Sequence, residues 1–149
     1  MRRSFRMRSS LPEDRLLYQL AIAEHVMHTR LDADLLQSRL TITGYSVLLL
    51  IWYMPGISAS EIARKTLISQ QAAARLTTRL IQIGYLKKVP NPAHRKILKH
   101  KLTEAGHAVL KQADGIVTKW ERQARRQLGS QSVESFFQHL HVLRTVFEK

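Results

Sequence analysis

Apolar residues recur every three or four positions through most of this chain, and the places where that rhythm breaks mark its elements. Leu16, Leu17, Leu20, Ala21, Met27, Leu31 and Leu35 fall at helical spacing, which predicts a long helix over about 13–38. Pro12 at a first-turn position, with Glu13 and Asp14 at the positive end of the helix dipole, suits that start. Thr41 or Thr43 can cap a next helix, Tyr45 to Tyr53, whose nearly all-apolar sequence predicts burial. Pro55-Gly56 breaks the chain. Ser58-Ala59-Ser60-Glu61 has the spacing of a capping box, in which serine and glutamate satisfy each other's orphan amides. That helix is short and ends near Thr66. After a turn at Leu67-Ile68, Ser69 can cap another helix reaching Gly84.

From Tyr85 the period changes. Tyr85 to Val89 is strand-like, Pro90-Asn91-Pro92 is a turn, and Ile97 to Leu102 alternates. Leu98, His100 and Leu102 face one side while Ile97, Lys99 and Lys101 face the other, which predicts a two-stranded hairpin with a basic outer face. Thr103 can cap a long helix carrying the stripe Leu110, Ala113, Val117, Trp120, Ala124 and Leu128, weakened by Gly106 and Gly115. Gly129-Ser130 reads as a stop and a fresh cap. A final helix is expected to bury Val133, Phe136, Phe137, Leu140, Leu143 and Phe147. With no internal repeat, low-complexity tract or linker, residues 13–149 form one domain, mainly α with a small β hairpin, behind a basic arm at 1–12.

Charge sharpens this picture. The chain carries 24 Lys and Arg against 11 Asp and Glu, a formal net charge of +13. Ten of the basic residues (Arg64, Lys65, Arg75, Arg79, Lys87, Lys88, Arg95, Lys96, Lys99 and Lys101) lie between Ile62 and Thr103, where there is no acidic residue at all. A folded segment that keeps every carboxylate out is suited to a polyanion, because carboxylates on that face would repel a phosphate backbone. Acidic lipid is the competing partner. The longest apolar run, Val47 to Met54, is far shorter than the roughly 20 residues of a membrane span, so no membrane is expected. Four arginines among the first eight residues, with no apolar stretch behind them, read as a disordered basic arm that adds charge attraction; an Arg- and Ser-rich organellar presequence is the other reading. The absence of cysteine removes disulfides, thiolate zinc sites and cysteine nucleophiles, and fits a cytoplasmic protein.

The helix after Ser69 divides into faces. Ala72, Ala73, Leu76, Leu80 and Ile83 suit packing, Gln70, Ala74 and Thr78 form one outward row, and Gln71, Arg75 and Arg79 form the next. Arg can grip guanine bidentately, Gln can grip adenine, and an alanine methyl can touch thymine. The Ser69 end also turns free amides toward phosphate. Short helix, tight turn, second helix and basic hairpin make a winged helix-turn-helix, a DNA-binding lobe over about 41–102. Ser69, Gln70, Gln71, Ala74, Arg75, Thr78 and Arg79 form its base-reading surface. Lys87, Lys88, Asn91, His94, Arg95, Lys96, Lys99 and Lys101 supply wing and phosphate contacts.

The chain resembles the MarR family of bacterial transcriptional regulators. The likeness runs through Leu40-Thr41, Ser58 to Ala63, Ile68-Ser69, Arg75 to Leu80, Gly84-Tyr85-Leu86, Asn91 to Lys96, and Leu102 to Gly106. The resemblance implies a homodimer, with a helical dimerisation lobe from about 13–40 and 103–149. It further implies a recognition helix in the major groove, a wing in the minor groove, repression from a palindromic operator, and release by a small aromatic or phenolic ligand between the lobes. The family's wing tip usually carries an acid followed by two arginines; here His94, Arg95 and Lys96 stand there. The wing loses an orienting carboxylate, so charge rather than fixed shape is expected to dominate its contacts. Thr77 stands where an aliphatic residue is common.

Other chemistries are weaker. His25 and His28 can share a helix face, with His107 a third candidate, but no cysteine and no diagnostic spacing supports a metal site, and none is expected. A ligand pocket would draw on His25, Tyr45, Trp52 and Trp120, although aromatic residues at helical spacing more often belong to a core. No phosphate loop, nucleophile elbow or zinc-protease helix is present, so neither an enzyme nor a cofactor is expected. The rival to a sequence-specific regulator is a basic structural or adaptor protein that binds nucleic acid, or an acidic partner, without sequence preference.

Overall fold

The computed structural model describes residues 12–93 and 98–148. The expected basic arm, apart from Pro12, and the wing tip at His94, Arg95 and Lys96 lie outside the described residues. The chain divides into two compact units, residues 1–42 and 43–149.

In the first unit, helix α1 (Leu16–Leu35) lies between two 3-10 turns, Pro12–Asp14 and Leu36–Ser38, so the expected helix over 13–38 is present with tightened ends. Arg39 takes a left-handed conformation (φ 52°) and bends the chain. The Asp32 carboxylate accepts the Ile42 amide at 2.7 Å, which fixes that bend. Only Leu31 and Leu35 of the helix are buried; Leu16, Leu17, Ile22, Val26 and Met27 are exposed.

Helix α2 (Ile42–Tyr53) buries Gly44, Tyr45, Val47, Leu48 and Ile51. Its last turn does not follow the all-apolar expectation, since Trp52 and Tyr53 are exposed and meet edge to face at 4.6 Å. After the break come β1 (Ile57–Ser58), α3 (Ala59–Thr66) and α4 (Gln70–Gln82). Two further strands follow, β2 (Leu86–Val89) and β3 (Lys99–Leu102), and then α5 (Glu104–Leu128) and α6 (Ser130–Phe147). The three strands form one antiparallel sheet in the order β1-β3-β2. The two-stranded hairpin expected from the sequence is therefore incomplete. A two-residue strand shows no alternation, and β1 joins because Gly56, at φ 85°, turns its amide onto the His100 carbonyl at 3.0 Å.

The core of the second unit is Val47, Leu48, Ile51, Ile57, Ile62, Leu80 and Leu86, all nearly inaccessible. Each such side chain contributes about 1.5–3 kcal/mol when fully buried. Helix α6 departs from expectation: of its apolar residues only Val133 is buried, and Phe136, Phe137 and Phe147 are exposed. Nor does Ser130 cap it. Gly129 stands at the cap position with φ 78° and no side-chain bond, and Ser130 is already the first helical residue.

The sheet meets α5 through one backbone unit. The Tyr85 amide donates to the Leu80 carbonyl at 2.9 Å, and the Tyr85 carbonyl accepts the Thr103 amide at 3.1 Å. The Thr103 hydroxyl donates to the Gly84 carbonyl at 2.5 Å and accepts the Gly106 amide at 2.9 Å, capping α5. Gly106 is required here because a Cβ would fall 2.0 Å from the Tyr85 carbonyl oxygen. Backbone cannot yield as a flexible side chain can. We expect Gly106→Ala to destabilise the protein by about 3 kcal/mol or more, as overpacking and strain combine; a chemical denaturation midpoint equal to that of the parent would overturn this account of the joint.

Candidate nucleic-acid interface

The approach to α4 is built from two caps. Ser58 and Glu61 close the expected capping box: the Glu61 amide donates to Ser58 Oγ at 3.3 Å and the Ser58 amide donates to Glu61 Oε2 at 2.9 Å. The Ser58 hydroxyl and amide hold the Glu61 carboxyl below its ordinary range. Helix α3 ends at Leu67, which is left-handed (φ 56°) and exposed. This reversal lets α4 pack against α3. Ser69 then caps α4, its hydroxyl accepting the Ala72 amide at 3.1 Å. Helix geometry leaves the Gln70 and Gln71 amides with no carbonyl one turn earlier, so they face outward.

Along α4 the outward face is Gln70, Gln71, Ala74, Arg75, Thr78 and Arg79, all exposed as the spacing predicts. The inward face is Ala73, Thr77 and Leu80. One assignment changes: Ala72 is exposed rather than packed, while Thr77, at a position where an aliphatic residue is common, is buried. Burial of Thr77 is tolerated because its hydroxyl donates to the Ala73 carbonyl at 2.9 Å, with the Ala74 carbonyl at 3.1 Å. Arg64 and Lys65, exposed at the end of α3, extend the same basic surface. The acid-free run contained the signal for them.

The wing adds lysines in register. Lys87 on β2 stands directly opposite Lys101 on β3, and Lys88 opposite His100. Like charges directly opposed across strands are destabilising, so this stem carries an internal repulsion that an anion would relieve. Lys99 is half-buried near Gly56, where its stem packs and its charge helps to lower the Glu61 pKa. Asn91, expected among the phosphate contacts, is buried and its Oδ1 accepts the Ala93 amide at 3.1 Å, so it shapes the turn. Beneath the stem, His100 is buried with Nδ1 3.2 Å from the Ile57 carbonyl. Desolvation, joined by the Lys88 charge, holds its imidazole below the ordinary value, against the opposing pull of the Ile57 hydrogen bond.

Residues 40–98, which contain α3, α4 and β2 and end just before β3, match the model of the MarR family. A curated relative, the HTH-type transcriptional regulator BilQ from Clostridioides difficile (strain CD3), is 23% identical over 89 residues. The match spans 60% of this chain and 60% of that relative's length. Among solved structures, MepR of S. aureus in complex with DNA aligns with TM-score 0.84 at 17% identity, covering 91% of this chain and 99% of that one. The transcriptional repressor CouR, bound to a 23-mer DNA duplex, aligns with TM-score 0.83 at 23% identity over 93% and 98%. PcaV from Streptomyces coelicolor, in complex with its natural ligand, aligns with TM-score 0.82 at 16% identity over 93% and 98%. At these identities the structures establish the fold, a winged helix with flanking helices.

Beyond this surface, the expected pocket residues do not converge on one cavity. Trp52 lines a cleft of about 460 Å³ with Leu49, Tyr53, His107 and Asp114. Tyr45 lines a neighbouring one of about 490 Å³ with Leu49, Asp114, Val117 and Arg122. Its hydroxyl donates to Asp114 Oδ1 at 2.8 Å, and burial with that bond pushes the phenol well above its ordinary pKa. Trp120 is half-buried outside both linings, and His25 is exposed on α1 in the other unit. Beside it, His28 Nε2 lies 3.4 Å from Glu24. Among the described residues no three His, Asp or Glu side chains assemble into a metal-holding group, and no single helix is long and apolar enough to cross a membrane.

Two outcomes follow from the wing. Because the folded His100 pKa lies below its unfolded value of 6.5, its contribution to stability is present above that pH and is lost as pH falls through the folded value. Thermal melts between pH 7 and 5 should show this loss, and His100→Asn, which keeps a donor for Ile57, should reduce it; an unchanged profile would remove the histidine from the account. Lys87→Thr should raise the stability of the free protein by about 0.2–1 kcal/mol while weakening duplex DNA binding. A loss of both stability and affinity would show that the lysines do not repel.

Proposed function

We propose that this chain is a sequence-specific DNA-binding transcriptional regulator that acts as a homodimer on a palindromic operator. The observation that carries the reading is the α4 surface: an exposed row of Gln, Ala, Arg and Thr, capped at its phosphate-facing end and set in a segment without one carboxylate. Arg75 and Arg79 suit bidentate contacts to guanine, and Gln70 and Gln71 suit adenine. Lys87, Lys88, Lys99 and Lys101 suit phosphate. The wing tip at His94, Arg95 and Lys96 belongs to the same proposal and reaches the minor groove mainly by charge. The DNA-bound MepR and CouR structures support a duplex as the partner. Neither family nor fold is that of an enzyme, and the activity proposed is binding alone.

Exposed apolar faces support the homodimer. Leu16, Leu17, Ile22 and Val26 on α1, and Phe136, Phe137, Val142 and Phe147 on α6, are more than an isolated surface should show. We assign residues 13–40 and 103–149 to dimerisation. Two-fold symmetry then presents two recognition helices to half-sites about one DNA turn apart. Occupancy of such a site in the cytoplasm represses transcription, and a small aromatic effector in the clefts beside Asp114 releases it, in keeping with the ligand-bound PcaV structure.

Selection from random duplex DNA at physiological salt tests this. A recovered palindrome supports the regulator; tight binding with no enriched sequence replaces it with a basic protein that coats nucleic acid. On the selected site, Arg75→Ala should cost about 1–3 kcal/mol and relax one base position. Lys101→Gln should weaken all sequences alike and lower the salt slope by about one. Equal effects of both variants on specific and random DNA would sink the division into reading and positioning residues.

A further inference from the structure

His100 is an ionisable side chain set where charge is costly. It is 3% exposed and lies on the middle strand of the sheet, with Ile57 of β1 opposite it on one side and Lys88 of β2 on the other. Two bonds join it to the short strand. Its carbonyl accepts the Gly56 amide at 3.0 Å, and its Nδ1 lies 3.2 Å from the Ile57 carbonyl. A carbonyl only accepts, so the neutral ring carries its proton on Nδ1 and donates it there. The next residue of β1, Ser58, is the buried cap of α3, and α3 packs against α4. One imidazole thus ties the wing stem to the helix that supports the recognition surface.

A second proton on this ring would meet no counter-charge. No acidic residue occurs between Ile62 and Thr103, and no ion pair to His100 forms among the described residues. From β2, Lys88 faces it and opposes protonation. On its own strand Lys99 and Lys101 add positive charge on the opposite face. Strand β1 brings no charge, and the carboxylate that follows it, Glu61 of α3, is held by the Ser58 amide and hydroxyl. Beyond Leu102, α5 contributes Glu104 and His107, both exposed.

Burial is the larger cause that keeps the ring neutral, and the Lys88 charge the smaller. As pH falls below the unfolded value of 6.5, protonation favours any form in which the ring reaches water. The least costly such form is local. Strand β1 has two residues, and so short a strand opens at far less cost than the whole lobe. A phosphate beside Lys88 would relieve only the smaller cause.

We propose that His100 is a proton-operated latch: in mild acid its Nε2 takes a proton from solvent, the imidazolium leaves the sheet, β1 parts from β3, and the lobe releases duplex DNA. The release rests on the reading of this lobe as DNA-binding; the opening does not.

Two titrations of the full chain from about pH 7.5 to 5, at fixed ionic strength, test it. In the free protein, the NMR signal of the Gly56 amide should leave its hydrogen-bonded position with the same midpoint as the His100 ring, below 6.5. Lys88→Gln removes a charge that opposes protonation, so it should move that midpoint to higher pH. With a labelled duplex recovered by selection, affinity should fall about tenfold across the range, the size of effect that one unit of pKa shift produces. Protonation of exposed histidines alone would instead strengthen a complex with phosphate. His100→Asn should abolish the fall, and if that variant folds poorly the Lys88→Gln midpoint decides. The proposal is overturned if Gly56 keeps its position while His100 titrates, or if acid leaves the parent's affinity flat or raises it. An equal fall in His100→Asn overturns it too. If no duplex binds at any pH, the DNA reading fails and the release with it, while the Gly56 titration decides the opening by itself.

Discussion

The backbone of one residue, Tyr85, joins three parts of the lobe. The Tyr85 peptide takes the end of α4 through Leu80 and the end of β3 through Thr103, and it presses so closely on α5 that residue 106 can have no side chain. Through Tyr85 the end of α4, the wing stem and the start of α5 meet at one point. The lysines on β2 and β3 and the arginines on α4 therefore keep a fixed spacing. In the proposed reading, matching the regular spacing of phosphates needs such a spacing more than it needs any single contact.

Much of this was legible from local chemistry. The Ser58–Glu61 box, the Ser69 and Thr103 caps and the turn at Leu67-Ile68 act within four residues, so spacing reveals them, whereas the left-handed backbone of Leu67 carried no such signal. The outward row of α4 follows from the same periodicity. What stayed hidden depends on distant partners. Strand β1 is two residues long and exists because β3 accepts it. The burial of the Thr77 hydroxyl depends on its finding two carbonyls, which no hydropathy pattern records. The aromatic residues of α6 were expected inside because they are apolar, yet apolarity does not say whether the covering surface comes from the same chain. The pocket residues failed to converge for a related reason: Tyr45 and Trp52 sit on one helix but face two neighbouring clefts.

The two glycines of α5 show how one residue type carries opposite information. Gly106 is explained by what would collide with a side chain, and Gly115 by nothing among the described residues. In the sequence both are simply blemishes in a helical stripe. Only the surrounding atoms separate a glycine required by packing from one that leaves a space open.

The opposed lysines of the wing carry a consequence for ionic strength. Dissolved ions screen Lys87 from Lys101, so added salt quiets the repulsion within the free stem. The same ions compete with the lysines for phosphate and weaken any complex with nucleic acid. The unbound and bound forms thus respond to salt with opposite sign. Dilute buffer, where the protein would grip a polyanion most firmly, is also where its empty wing is least content to hold its shape.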